Sequence, residues 1–308
     1  MQCDKDKIMI EWVSPEIGIV EKYSASHTAL RCTGSDTAAA NIFLLKDKYD
    51  IKTASHDALL RYYNGNKHNR LGYGFPLYAD DSDQEELFAL IRDDAESRSV
   101  PLEFCLCDER QKAILDSLCR IDWKCTDDDS DYIYNRESLA LLAGKKLHRK
   151  RNHINNFRRM YDDISYRALG GSNSADALFA AEKWLVQRGN EATADELSEY
   201  ESIKLALAHV SELGLFGGVL YVGDIPVAMT VASSLSAVMV DVHFEKAYGE
   251  YAESGAFAVI NQCFATSLSS DIEYINREED MGIEGLRTAK ESYFPAFKMK
   301  KYYGVCKC

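Results

Sequence analysis

The sequence predicts an α/β (α+β) chain folded as two domains, and three observations lead there. Its 308 residues exceed the usual size of one domain. Hydrophobic residues at 46% against 28% charged supply a core and exclude a disordered chain. Strand-like and helix-like patterns alternate on both sides of Asn135, so residues 1–135 are read as a first domain and 136–308 as a second.

In the first domain "DTAAANIFLLKDKY" reads as a helix and "LGYGFPL" as a turn into a strand, punctuated by Gly72, Gly74 and Pro76. "DSDQEELFALIRDDAESRS" is an amphipathic helix whose acidic first turn suits the positive end of the helix dipole. The strand "VPLEFCLC", the helix "DERQKAILDSLCR" and an acidic loop with a short strand, "DDDSDYIYN", complete it.

The second domain opens on "GKKLHRKRNHINNFRRMY", a helix with Leu147, Ile154, Phe157 and Tyr161 at helical spacing. The strand "ISYRAL" leads to two helices, "ADALFAAEKWLVQRG" and "DELSEYESIKLALAHVSELG", each closed by a Gly. Three strands follow, "FGGVLYV", "PVAMTVASSL" and "AVMVDVHFE", the first two joined by a tight "GDIP" turn. The loop "KAYGEYAESG", the helix "AFAVINQCFATSL", the strand "IEYIN", the helix "GIEGLRTAKESY" and a last strand "FKMKKYYGV" close the chain.

A formal net charge of −13 argues against broad nucleic-acid binding, DNA included, so any polyanion must meet a local patch. The N-terminus "MQCDKDKIMIEW" lacks the apolar run of a signal peptide, and no stretch reaches the roughly 18 apolar residues of a membrane helix. The nine cysteines are accordingly expected to be mostly reduced thiols of a cytoplasmic protein. Cys105/Cys107 and Cys306/Cys308 share a Cys-x-Cys spacing, but without a second pair at ligand distance they are read as structural.

The basic helix is the patch. It carries seven Lys and Arg and no acid, and Lys145, Lys146, Arg149, Lys150 and Arg151 cluster at its start, where free backbone N–H groups also favour an anion. Phosphate is the natural ligand: the diphosphate of coenzyme A, the acceptor end of a tRNA, or a phospholipid headgroup met peripherally. The alternative is a solvated face balancing acids such as "TDDDSD".

On "AVMVDVHFEK" strict alternation places Asp241, His243 and Glu245 on one face. A carboxylate–imidazole–carboxylate row can take a proton from an acceptor amine; the alternative is a solvent-facing strand surface. Two-residue spacing alone does not predict a metal site, and no metal is expected. Ser254 in "ESGAF" lacks the frame of a nucleophile elbow, and no dinucleotide or Walker-type glycine loop is present.

The element order from Ile164 onward resembles the GCN5-related N-acyltransferase (GNAT) fold. Lys246, Gly249 and Tyr251 stand where that family's donor loop has its cation and glycines, Asn276 ends a strand, and Ala289 and Tyr293 hold an A-x-x-x-Y spacing. "KKLHRKRNHINNF" and "YINREEDMGIEGLRTAKESYFP" resemble an uncharacterised bacterial family related to the C-terminal domain of phosphatidylglycerol lysyltransferase. The resemblance implies two tandem GNAT-like domains, each a mixed sheet flanked by helices. It also implies an acyl- or aminoacyl-transferase using acyl-CoA or aminoacyl-tRNA and an amine or hydroxyl acceptor. The alternative is a non-catalytic GNAT-like protein that binds a phosphate-bearing ligand. The resemblance assigns Glu245, or His243 oriented by Asp241, to accept a proton and Tyr293 to donate one to the leaving group. Lys146, Arg149, Lys150, Arg151, His153, Lys246, Gly249 and Asn276 would bind the donor.

Overall fold

The computed structural model describes residues 10–19, 23, 34–65, 70–77 and 83–307. Most of the N-terminal stretch, with Cys3, Cys32 and Cys308, lies outside them. In the first half, α1 (Ala39–Leu44) and α2 (Lys46–Tyr49) precede β1 (Ile51–Ser55), β2 (Leu59–Tyr63) and β3 (Gly72–Leu77). Then come α3 (Gln84–Arg98), β4 (Glu103–Cys107), α4 (Glu109–Leu118), β5 (Ile121–Cys125) and β6 (Asp131–Asn135). In the second half, α5 (Arg136–Leu141), α6 (His148–Met160), β7 (Ile164–Ala168), α7 (Ser174–Val186) and α8 (Ala194–Ala208) lead to β8 (Phe216–Val222), β9 (Ile225–Ser236) and β10 (Met239–Ala247). The chain ends with α9 (Gly249–Ser254), α10 (Ala256–Ser267), β11 (Tyr274–Asn276), α11 (Glu284–Glu291), β12 (Phe297–Met299) and β13 (Tyr302–Cys306).

Helix starts follow local chemistry. The Asp83 carboxylate accepts from the N–H groups of Glu85 and Glu86 at 2.9 and 3.1 Å, and Asp108/Gln111 and Thr193/Glu196 form capping boxes on α4 and α8. Of the segment "KAYGEYAESG", expected as a loop, Lys246 and Ala247 end β10 and Gly249–Ser254 folds as the short helix α9.

Two mixed sheets flanked by helices result, ordered β1-β2-β3-β4-β13-β5 and β12-β6-β11-β10-β9-β8-β7. Each has one parallel pair, β3/β4 and β10/β11, among antiparallel ones. The sheets do not divide at residue 135 as expected. β6, from the first half, pairs with β11 and β12 in the second sheet, while β13, the last strand, enters the first between β4 and β5. The run "FKMKKYYGV", read as one strand, is therefore two, one in each sheet. Cys119 and Cys306 are disulfide-bonded, closing β13 onto the end of α4; reduced thiols were expected there. Cys105 and Cys107 are buried free thiols on β4.

Lys301 sits in the two-residue link between β12 and β13, fully buried. It pairs with Asp131 at 2.7 Å, Glu279 at 3.1 Å and Asp36 at 3.8 Å. Arg61 on β2 binds Asp36, and Arg70 before β3 binds Glu279. Cations of the first sheet thus meet carboxylates of the second and of the N-terminal segment, which offsets the desolvation of each. Burial alone would lower the Lys301 pKa, but Asp131, Glu279 and Asp36 raise it well above the usual lysine value. Against the same burial, Lys301 and Arg70 hold the Glu279 carboxyl well below its usual range.

The second sheet has a core on each face. One joins Ile154 and Phe157 of α6 with Val240, Val242, Phe264 and Tyr293; the other joins α1, α7 and α8 with Val219, Val231 and Phe244.

Candidate active site

A β-bulge decides which side chains meet. Val242 pairs with Ala232 and Phe244 with Val231, leaving His243 as the extra residue on β10. Alternation is thereby reversed: Val242 enters the α6 core and Phe244 the α8 core. Asp241, His243 and Glu245 do not share a face as expected. Asp241 and His243 lie together, buried, with Asn41 of α1 close by, whereas Glu245 faces α10 and the end of α11.

Glu245 accepts from Arg277 Nη2 at 2.9 Å and from Asn261 Nδ2 at 3.3 Å. Arg277 follows β11, the parallel neighbour of β10, and its guanidinium carbon lies 5.0 Å from the Tyr293 ring centre. The α6 start brings Lys150 Nζ to 3.9 Å above the same ring, a cation–π contact, and Lys146 Nζ to 5.5 Å from Phe294. α6 is held close because Gly255, at φ 119°, leaves room for the His153 carbonyl; a Cβ there would stand 2.7 Å from that oxygen. Lys150, Tyr293, Arg277 and Glu245, distant in sequence, thus form one cluster.

Its electrostatics suit proton transfer. Burial, reinforced by Arg277 and opposed by Glu245, lowers the Lys150 pKa to about 8. Burial pushes the Tyr293 phenol above its usual range although Arg277 opposes it, so the hydroxyl keeps its proton at neutral pH. Arg277 Nη1 is buried without a hydrogen-bond partner in this structure. It is a donor with nothing to donate to, aimed by the Glu245 ion pair.

Other expected donor-binding residues go elsewhere. Lys246 binds Glu199 of α8 at 2.7 Å and lies over Trp184, on the opposite face from Glu245. Arg151 donates to the carbonyls of Leu142 and Gly144, tying down the loop before α6. Asn276 is buried, donating to Asp131 at 2.9 Å and accepting from the Glu278 N–H at 2.7 Å. The Gly249 N–H donates to Gln187 Oε1 at 2.6 Å, and Gly249 starts α9. Arg149 and His153 are exposed on α6, as is Lys146 just before it. Among the described residues no acid pairs with Lys146 or Arg149, so these two cations stay available to a ligand.

On the other face, His243 Nδ1 lies 3.5 Å from both Asp241 Oδ2 and Glu278 Oε1, and its Nε2 is 2.8 Å from Ser233 Oγ. Glu278 and Arg277 were not singled out from the sequence. Their only signal was the acidic-basic run "NREED" after a strand end.

The model of the family described as "Phosphatidylglycerol lysyltransferase, C-terminal" matches residues 27–304. The chain belongs to that family. It is a family of transferases, and its fold is the tandem GNAT-like arrangement that the resemblance implied. A conserved protein of unknown function from Bacteroides thetaiotaomicron is similar over 97% of this chain and all of its own, with 29% identity and a TM-score of 0.89. L-PGS from Bacillus licheniformis matches 96% of this chain and 93% of its own at 13% identity, with a TM-score of 0.65. FemX matches 97% and 98% at 11% identity, with a TM-score of 0.57. The last two likenesses show the fold. A comparison with curated protein sequences gives no match. Among the described residues, no helix is long and apolar enough to cross a membrane.

Proposed function

We propose that this family member is an acyl- or aminoacyl-transferase acting on an activated ester, with aminoacyl-tRNA preferred to acyl-CoA as the donor. The observation that carries the reading is the unpartnered Arg277 Nη1 beside a lysine whose pKa is near 8. An ester carbonyl that displaces the side chains covering this buried nitrogen would receive a hydrogen bond that strengthens as its oxygen becomes negative. The acceptor hydroxyl or amine attacks the carbonyl carbon while neutral Lys150 Nζ takes its proton. The tetrahedral centre collapses, the ester C–O bond breaks, and the Tyr293 hydroxyl protonates the leaving ribose oxygen. Glu245, first expected as the base, holds Arg277 instead.

Lys246 and the Gly249 N–H, expected to hold a coenzyme A diphosphate, are already paired with Glu199 and Gln187, which favours the tRNA donor, whose phosphates the exposed Lys146 and Arg149 would meet. The family's name points to a lysyl group and a phosphatidylglycerol hydroxyl as the first donor and acceptor to try.

The test is transfer of radiolabelled amino acid from charged tRNA, or of acetyl from acetyl-CoA, to phosphatidylglycerol vesicles or a free amine. Wild-type protein should transfer from tRNA, and Lys150→Met should slow transfer about 10²–10⁴-fold while still binding tRNA. Turnover with acetyl-CoA alone would replace the donor. Binding of either donor without turnover would favour the non-catalytic reading.

A further inference from the structure

The second polar cluster of β10 takes no part in that mechanism. His243 Nε2 is 2.8 Å from Ser233 Oγ; in the tautomer in which Nε2–H donates to that hydroxyl, Nδ1 is a bare lone pair. That side chain is fully buried, and Nδ1 has no hydrogen-bond partner. It faces Asp241 Oδ2 and Glu278 Oε1, each 3.5 Å away, too long for a hydrogen bond. Three electron-pair donors thus converge on one point, with all their ligand atoms within 4.8 Å of one another.

We propose that Asp241, His243 and Glu278 bind one divalent transition-metal ion, zinc by the donor set. The two 3.5 Å separations from His243 Nδ1 fit: zinc–ligand bonds of about 2.0–2.1 Å in a tetrahedron put ligand atoms roughly 3.3–3.4 Å apart. The outer contacts fit as well. Ser233 fixes the imidazole, and Asn41 Nδ2 donates to Asp241 Oδ2 at 3.2 Å and Glu278 Oε1 at 2.8 Å, leaving each oxygen a further lone pair. Asp241 Oδ1 is also buried and without a hydrogen-bond partner. Glu278 keeps 23% of its side chain exposed and offers the way in, while the other two ligands are sealed. Three protein ligands leave a fourth position open. Because Asn41 comes from the N-terminal segment and the ligands from the second sheet, the ion would also tie these parts together.

The test uses the full chain, stripped with a chelator and titrated with zinc sulfate by calorimetry, with cobalt(II) as a spectroscopic probe of tetrahedral coordination. One ion per chain should bind, with tetrahedral cobalt bands and a zinc-dependent rise in melting temperature. His243→Ala and Glu278→Gln should each weaken zinc at least tenfold; the partly exposed Glu278 keeps the test readable if the histidine variant does not fold. Absence of stoichiometric uptake by wild-type protein would overturn the site. Uptake unchanged in the Glu278→Gln protein would overturn it too.

Discussion

Lys301 and Lys150 are both withdrawn from water, yet their surroundings are opposite. Lys301 has three carboxylates around its ammonium, which raise its pKa well above the usual lysine value and keep it charged at neutral pH. Lys150 has an aromatic ring below it and a guanidinium nearby, and its pKa falls to about 8. Burial is common to both; the partners decide between a structural ion and a group that can exchange a proton.

The contrast predicts opposite costs of removal. Breaking a buried ion pair by deleting one partner costs about 3–5 kcal/mol, because the remaining charges stay desolvated. Lys301→Met should therefore lower the urea midpoint strongly or prevent folding. A Lys301→Met protein with the wild-type midpoint would erase the distinction. Replacing Asp131 with Asn in the same chain should recover part of the loss, since one stranded carboxylate is removed with its partner.

Tyr293 tests the other region through rate. Tyr293→Phe keeps the ring on which Lys150 rests and removes the hydroxyl proposed to protonate the leaving oxygen. Transfer should slow by about 10²-fold, the lower end for a general acid, with donor affinity unchanged. Single-turnover rates beside equilibrium binding would show it, and an unaltered rate would assign that proton to another group.

These two regions were unequally legible in the sequence. The second sheet's strands announced themselves as apolar runs between turns, and the face of α6 was readable from Ile154 and Phe157. Invisible was the bulge at His243, one residue that carries Glu245 away from Asp241 and His243 without any change in composition. Invisible also was the exchange of β6 and β13, since their partners lie up to about two hundred residues away and the pattern around Lys301 is continuous. The candidate site suffered most. Lys150 was legible as a cation but not as a neighbour of Tyr293, and Arg277 emerged only when the β10/β11 pairing set it beside Glu245.

The exposed cations of the α6 region give a smaller effect. Arg151 is committed to carbonyls, so Lys146 and Arg149 are the pair to replace. Lys146→Ala with Arg149→Ala should weaken charged-tRNA binding about tenfold at low salt, less than two buried charged bonds would. The slope of log affinity against log salt should fall by about 1.4, from roughly 0.7 per single-strand phosphate contact. An unchanged slope would return these cations to a solvated helix face.

The smallest effect is a pH dependence of stability whose sign separates the two lysines. Lys150 has a folded-state pKa near 8, below the roughly 10.4 of an unfolded lysine. Below pH 8 it is charged in both states, and the fold bears the whole penalty of holding that ammonium away from water. Between about 8 and 10.4 the unfolded chain binds more protons, so stability rises with pH, and above that window the penalty is gone. Lys150→Met should therefore melt slightly above wild type at pH 7, with the difference shrinking to nothing by about pH 10.4. The raised Lys301 value has the opposite sign: its stabilisation is complete below the unfolded pKa and fades only as pH climbs toward the folded one. Paired thermal melts of wild type and Lys150→Met across that range would settle the sign. A variant less stable than wild type at pH 7 would mean that its contact with Tyr293 outweighs the desolvation, and that Lys150, like Lys301, is held for structure.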